Sequence, residues 1–175
     1  MAEPTCVRVY VVEDDQEFAE SLTCLLVANG FEAQSFPLGE VYLDAVAALS
    51  PGAIMLDIKM PGMDGLAVLD ELKARKVDWP VVMMTGHGDI PLAVRCIQRG
   101  AIEFIEKPFE EEKLLEVLNE AFHVLEMRLS TREEARARHE IQREGHLVVF
   151  ELLFPTRLPH NHAFPDLLRV RQKLA

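Results

Sequence analysis

Five short apolar runs, each followed by a stretch with helical spacing, succeed one another along this chain, and few folds can absorb such a pattern. Strands are expected at 7–12, 31–36, 53–57, 80–85 and 102–106. Helices are expected at about 16–28, 39–48, 65–75, 90–99 and from 110 onward. Strands alternating with helices predict an α/β fold built on a five-stranded, doubly wound parallel sheet. The punctuation agrees. Asn29-Gly30 supplies a helix stop, Ser50-Pro51-Gly52 breaks the second helix ahead of the central strand, and Gly100 ends the fourth. Glu110-Glu111-Glu112 opens the fifth helix, where the helix dipole favours negative charge.

The polar residues that close these runs matter most, because open parallel sheets bind ligands at the C-terminal ends of their strands. Glu13-Asp14-Asp15 follows Val7–Val12, Asp57 follows Ala53–Leu56, Thr85 follows Val81–Met84, and Lys107-Pro108 follows Ala101–Glu106. After Asp57 comes a loop rich in Pro and Gly, Ile58-Lys59-Met60-Pro61-Gly62-Met63-Asp64-Gly65. Taken singly, each has a bland explanation: a helix cap, a loop carboxylate, a surface lysine. Taken together they are the parts of a phospho-acceptor site. Phosphoryl transfer to a carboxylate needs a nucleophile, neutralisation of the phosphoryl oxygens and a divalent ion. Glu13, Asp14 and Asp57 form an anionic group that calls for a hard cation, Mg²⁺ or Mn²⁺. Lys107 supplies fixed positive charge and Thr85 a hydroxyl donor.

In chain order these residues resemble the receiver domain of two-component response regulators, which has a flavodoxin-like receiver fold. The stretches Thr85-Gly-His-Gly-Asp-Ile-Pro-Leu-Ala-Val94 and Phe104-Ile-Glu-Lys-Pro-Phe109 are similar to FixJ-type and NtrC-type receivers. The resemblance implies Asp57 as phosphoacceptor, with Asp14, Asp57 and the backbone carbonyl of Lys59 as metal ligands. Glu13 would act through water. Lys107 and Thr85 would stabilise the phosphoryl group, and Phe104 would turn as Thr85 moves; a plain core role for Phe104 is the alternative. It further implies a cis Lys107–Pro108 bond. His87 and Asp15 are expected at the rim, with Lys59 and His87 at the mouth tuning attack by water. The implied function is a signalling switch rather than an enzyme, phosphorylated by a sensor histidine kinase. Phosphorylation would promote a homodimer through the face formed by the fourth helix, fifth strand and fifth helix.

The receiver-like part is expected to span 1–127, with 128–175 a charged linker helix, which continues the fifth helix to about 143, and a poorly defined tail without a recognisable output domain. Residues 1–127 carry 9 Lys/Arg against 23 Asp/Glu, a net −14, and would repel nucleic acid; residues 128–175 carry 9 against 6, a net +3. From Arg128 to Glu144 apolar residues are few, and Pro155, Pro159 and Pro165 interrupt the remainder of the tail. Leu129-Ser-Thr-Arg-Glu-Glu134 only faintly resembles the entry to a LuxR-type helix-turn-helix. Nucleic acid is therefore expected to be met only through an output domain not evident here, and a truncated FixJ- or NtrC-type DNA-binding regulator is the alternative reading. His139, His146, His160 and His162 are read as part of a flexible tail rather than a metal cluster. No run of about 18 apolar residues and no secretion signal occurs, which predicts a cytoplasmic protein. Cys6, Cys24 and Cys96 are too scattered for a metal site and are expected to be reduced thiols.

Overall fold

The computed structural model describes residues 7–86 and 90–153, with side chains as far as residue 140. Its elements are β1 Arg8–Val12, α1 Gln16–Ala28, β2 Glu32–Phe36, α2 Gly39–Ala45, β3 Ala53–Asp57, α3 Gly65–Ala74, β4 Val81–Thr85, α4 Ile90–Arg99, β5 Glu103–Glu106 and α5 Glu111–Leu153. The five strands form one sheet in the order β2-β1-β3-β4-β5. Every neighbouring pair is parallel. The chain reverses its direction of travel across the sheet between β1 and β3, and a crevice opens beyond their C-terminal ends at such a reversal.

Alternation along the strands sorts the core into two layers. Val9, Val11, Met55, Val82, Met84 and Ile105 pack with Leu22 and Leu26 of α1 and with Leu114, Val117, Leu118 and Ala121 of α5. Tyr10, Val12, Ile54, Leu56, Val81 and Met83 face Tyr42 and Leu43 of α2, Leu66, Val68, Leu69 and Leu72 of α3, and Cys96 of α4. β3 and β4 are buried along their whole length. That is the reason their sequences are uninterrupted apolar runs rather than alternating ones. Cys24 is exposed and Cys96 buried, both as free thiols.

Local chemistry sets several boundaries. The Asp15 side chain accepts a hydrogen bond from the Phe18 N–H (3.1 Å) and caps α1. Asp64 does the same for α3 through the Ala67 N–H (2.8 Å). α1 ends as Gly30 takes φ 87°. There the Gly30 and Phe31 N–H groups turn back to the carbonyls of Val27 and Leu26.

Two helices depart from expectation. The second was expected to continue to 48, but α2 stops at Ala45 and tightens into a 3-10 turn over Val46–Ala48. The Ser50-Pro51-Gly52 breaker lies so close that the last turn closes with shorter-range bonds. The fifth helix, expected to run to about 143, extends to Leu153 over 43 residues. Its burial explains the first part only: Leu114, Val117, Leu118, Ala121 and Leu125 form one apolar stripe, and beyond Leu125 no apolar side chain is buried among the described residues. By its contacts the chain divides into units Met1–Arg132 and Glu133–Ala175, where the sequence suggested a boundary after residue 127. Residues 154–175, with their proline-rich stretch, lie outside the described residues. No helix among the described residues is long and apolar enough to cross a membrane.

Gly65 begins α3 directly behind the tip of β3, its N–H donating to the Ile58 carbonyl (2.9 Å). A Cβ at that position would lie 2.2 Å from the Asp57 carbonyl oxygen and 2.9 Å from the Ile58 Cα. Both obstacles are backbone, so neither can swing aside. Gly65→Ala is expected to lower the unfolding free energy by about 1–3 kcal/mol, read from the midpoint of a urea melt. A midpoint equal to wild type would show that α3 is free to slide.

Candidate functional site

Each strand that ends at the crevice places one polar group there. Glu13, directly beyond β1, is pinned by its N–H, which donates to the Phe36 carbonyl at the end of β2 (3.0 Å). Asp57 closes β3, and the next N–H, that of Ile58, donates to Met84 on β4 (3.0 Å). Thr85 closes β4, and its carbonyl accepts the Lys107 N–H (2.7 Å), which brings the end of β5 alongside. Three of these groups are buried: Glu13 is 3%, Asp57 5% and Thr85 1% exposed.

Burying two carboxylates this way is costly unless a cation accompanies them. Lys107 is that cation. Its ammonium donates to Asp57 Oδ1 at 2.7 Å and also to Glu13 Oε2. It sits 4.4 Å from the centre of the Phe18 ring, which meets Phe109 edge to face at 5.9 Å. A cation over an aromatic face gains electrostatic attraction where water is scarce. Burial works to depress the Lys107 pKa, but the hydrogen bonds to Asp57 and Glu13 outweigh it and the pKa rises. Lys107 therefore stays charged across the physiological range. The Glu13 carboxyl moves up: burial dominates over its hydrogen bond to Lys107, and the neighbouring Asp57 adds to the rise.

Asp14 is exposed at the mouth. Glu13, Asp14 and Asp57 each offer an oxygen within 4.8 Å of the others. Three carboxylates against one ammonium leave an excess of negative charge carried by hard oxygen donors. Such a donor set fits a small divalent ion.

The other residues singled out from sequence are spread around this cluster. Lys59 is exposed in the loop after β3. The Lys107–Pro108 peptide is cis. Phe104 lies on β5 opposite Met83 and packs half-buried against the core on the α3/α4 side. Asp15, expected at the rim, is exposed and its side chain caps α1. His87 lies outside the described residues. Two contributors were not foreseen. Phe18 lies beneath the Lys107 ammonium, and nothing in its sequence spacing announces that contact across the fold. Glu40 accepts the Met63 N–H (2.9 Å) and steadies the Pro61-Gly62-Met63 loop beside the site.

Similarity to known proteins agrees with this geometry. The transcriptional regulatory protein FixJ of Bradyrhizobium diazoefficiens is 41% identical over 119 residues, covering 68% of this chain and 58% of that protein. The response regulator protein TodT of Pseudomonas putida is 38% identical over 113 residues, covering 65% of this chain and 50% of its own length. The chain thus spans roughly half to three-fifths of the length of these curated relatives. Among solved structures, the response regulator StyR matches with a TM-score of 0.76 at 32% identity, over 88% of this chain and 79% of that one. Full-length FixJ from B. japonicum gives 0.68 at 37% identity, over 77% and 66%. Residues 9–119, from the first strand into α5, match the family model of the response regulator receiver domain, and the chain belongs to that family.

Proposed function

We propose that this receiver accepts a phosphoryl group on Asp57 from the phosphohistidine of a sensor histidine kinase, and that the modification changes its partner surface. One observation carries the reading: the buried Asp57 carboxylate, held by Lys107 at 2.7 Å beside two further acids. In the transfer, an Asp57 oxygen attacks phosphorus in line with the leaving group. The N–P bond of the phosphohistidine breaks, its electron pair stays on the imidazole, and an acyl phosphate forms. The ammonium of Lys107 and the hydroxyl of Thr85 face the transferred oxygens, positioned before the reaction begins. Asp14, Asp57 and the Lys59 backbone carbonyl would hold Mg²⁺ or Mn²⁺, with Glu13 acting through water. The ion, when bound, neutralises phosphoryl charge and aligns the donor. Lys59, exposed in the loop after β3, would tune the attack of water that later returns Asp57 to its free state; the same role expected of His87 falls outside the described residues.

The switch rests on Thr85 and Phe104. As Thr85 moves toward the phosphoryl oxygens, Phe104 turns inward and repacks β5 against α4. α4 is suited to read this out, because Cys96 is its one buried residue while Ile90 is 81% exposed and Val94 and Ile97 are both 46% exposed. A homodimer through α4, β5 and α5 would cover them. A regulator of transcription is the fuller reading: relatives carry that description in their names, and this chain spans only part of their length. Residues 128–175 would then be the linker and the approach to an output domain, and nucleic acid would be met only there. Such a switch acts in the cytoplasm.

Intact-mass measurement with acetyl phosphate and Mg²⁺ is expected to show one phosphoryl adduct on the wild type. Neither Asp57→Asn nor the chelated sample should show it. An adduct of wild-type size on Asp57→Asn would remove Asp57 from the role. Light scattering with and without a phosphoryl mimic tests the dimer, and a monomer in both states at tens of micromolar would refute it.

A further inference from the structure

At the end of the sheet opposite Asp57 lies a cleft of about 310 Å³ with an apolar floor and a cationic rim. Its floor is apolar, from Leu69, Leu72, Val77 and Val81, and the only tryptophan of the chain, Trp79, lines it. Trp79 stacks on Tyr10 with ring centres 5.7 Å apart and is itself half-buried. Around this floor stand Lys73, Lys76, Arg99, Arg128 and Arg132 against a single lining carboxylate, Asp78. That is an abrupt local reversal, since residues 1–127 carry a net −14.

The ion pairs do not use up the positive charge. Arg128 and Arg132 both reach Asp78, at 3.1 and 3.8 Å. Arg99 turns outward to Asp70 at 2.6 Å. Lys73 and Lys76 have no carboxylate partner among the described residues, so five cations share two acids. Stabilisation of helix ends explains part of the set, since Lys73 and Arg99 occupy the last turns of α3 and α4, where the dipole favours cations. It does not explain Arg128 and Arg132, which lie inside α5.

Nor does it explain Lys76. This residue closes α3 with φ 59°, the left-handed conformation in which glycine is the usual occupant. A lysine there gives up backbone stability, and it lines the cleft. Its carbonyl meanwhile accepts a hydrogen bond from Arg132 (3.2 Å). Backbone strain retained at a cation-lined cleft is the kind of outlier that accompanies a binding site.

We propose that this cleft binds a small anion with a flat aromatic part, of the size and charge of a nucleoside monophosphate. The aromatic part would lie against Trp79 and the apolar floor, and the anionic group would meet Lys76, Arg128 and Arg132. Guanidinium pairs recognise phosphate through two parallel hydrogen bonds. The volume lies at the lower end of the ~300–1,000 Å³ typical of ligand pockets. Because Arg128 and Arg132 belong to α5 and Lys76 to the α3–β4 loop, an occupant would tie those two segments together, independently of events at Asp57.

Calorimetric titration of the full chain with AMP, adenosine and inorganic phosphate separately, at about 0.15 M salt where exposed charges are screened beyond about 8 Å, tests the proposal. AMP is expected to bind saturably and to alter the fluorescence of Trp79, with adenosine and phosphate each weaker by at least about tenfold. Two variants keep the test independent of folding. Lys76→Gly relaxes the strained backbone, so it should raise the melting temperature while weakening AMP about tenfold, and Arg132→Gln should weaken it similarly. Absence of saturable AMP binding, equal affinity for AMP and phosphate, or unchanged affinity in both variants would overturn it.

Discussion

Lys107 brings its ammonium to Asp57 at 2.7 Å and to Glu13 as well, in a crevice that leaves both carboxylates almost without water. Remove that cation, and two buried anions face each other at the edge of a low-dielectric sheet, an arrangement that pushes carboxylates toward protonation or the local structure toward opening. Much else is arranged so that this cation arrives. The Lys107 N–H donates to the Thr85 carbonyl at the end of β4, and the Phe18 ring lies 4.4 Å from the ammonium. β1, β3, β4 and β5 supply one group each. The site is therefore a property of the sheet order rather than of any one loop.

The same order separates two kinds of surface. The core beneath α1 and α5 is continuous, and Gly65 sits so tightly behind Asp57 that the tip of β3 is fixed in place. α4, by contrast, buries a single residue and exposes three large apolar ones. Elements with few buried contacts are those that move at small energetic cost. In the proposed switch, a chemical change at the tip of β3 would be read through Thr85 and β5 by this weakly anchored helix.

Much of this was legible in the sequence because it rests on short-range pattern. Apolar runs of strand length ending in Glu13, Asp57, Thr85 and Lys107 gave both the sheet and the edge at which those residues meet. What escaped was whatever depends on three-dimensional neighbours. Glu13 and Asp14 gather with Asp57 as expected, but Asp15, expected at the rim, turns to cap α1, which only the folded chain shows. Phe18 and Lys107 are far apart in sequence and meet only through the β1–β3–β4–β5 order. The end of α2 was misread because a 3-10 turn and a helical turn share the same residues. α5 outlasted its apolar stripe because charged residues with good helix propensity can carry a helix without a core. The left-handed Lys76 was invisible, since a glycine at that position would have signalled the turn and a lysine does not.

In the proposed site Lys107 and a divalent ion would meet the same acidic cluster, so the ammonium would weaken the ion's hold on it. Titration of Mg²⁺ into wild type and Lys107→Met, followed by amide chemical shifts of Ile58 and Lys59, tests this most directly. Removing the ammonium leaves more negative charge on Glu13, Asp14 and Asp57, so Mg²⁺ is expected to bind about tenfold more tightly. Weaker Mg²⁺ binding in Lys107→Met than in the wild type, with the sheet still folded, would contradict it.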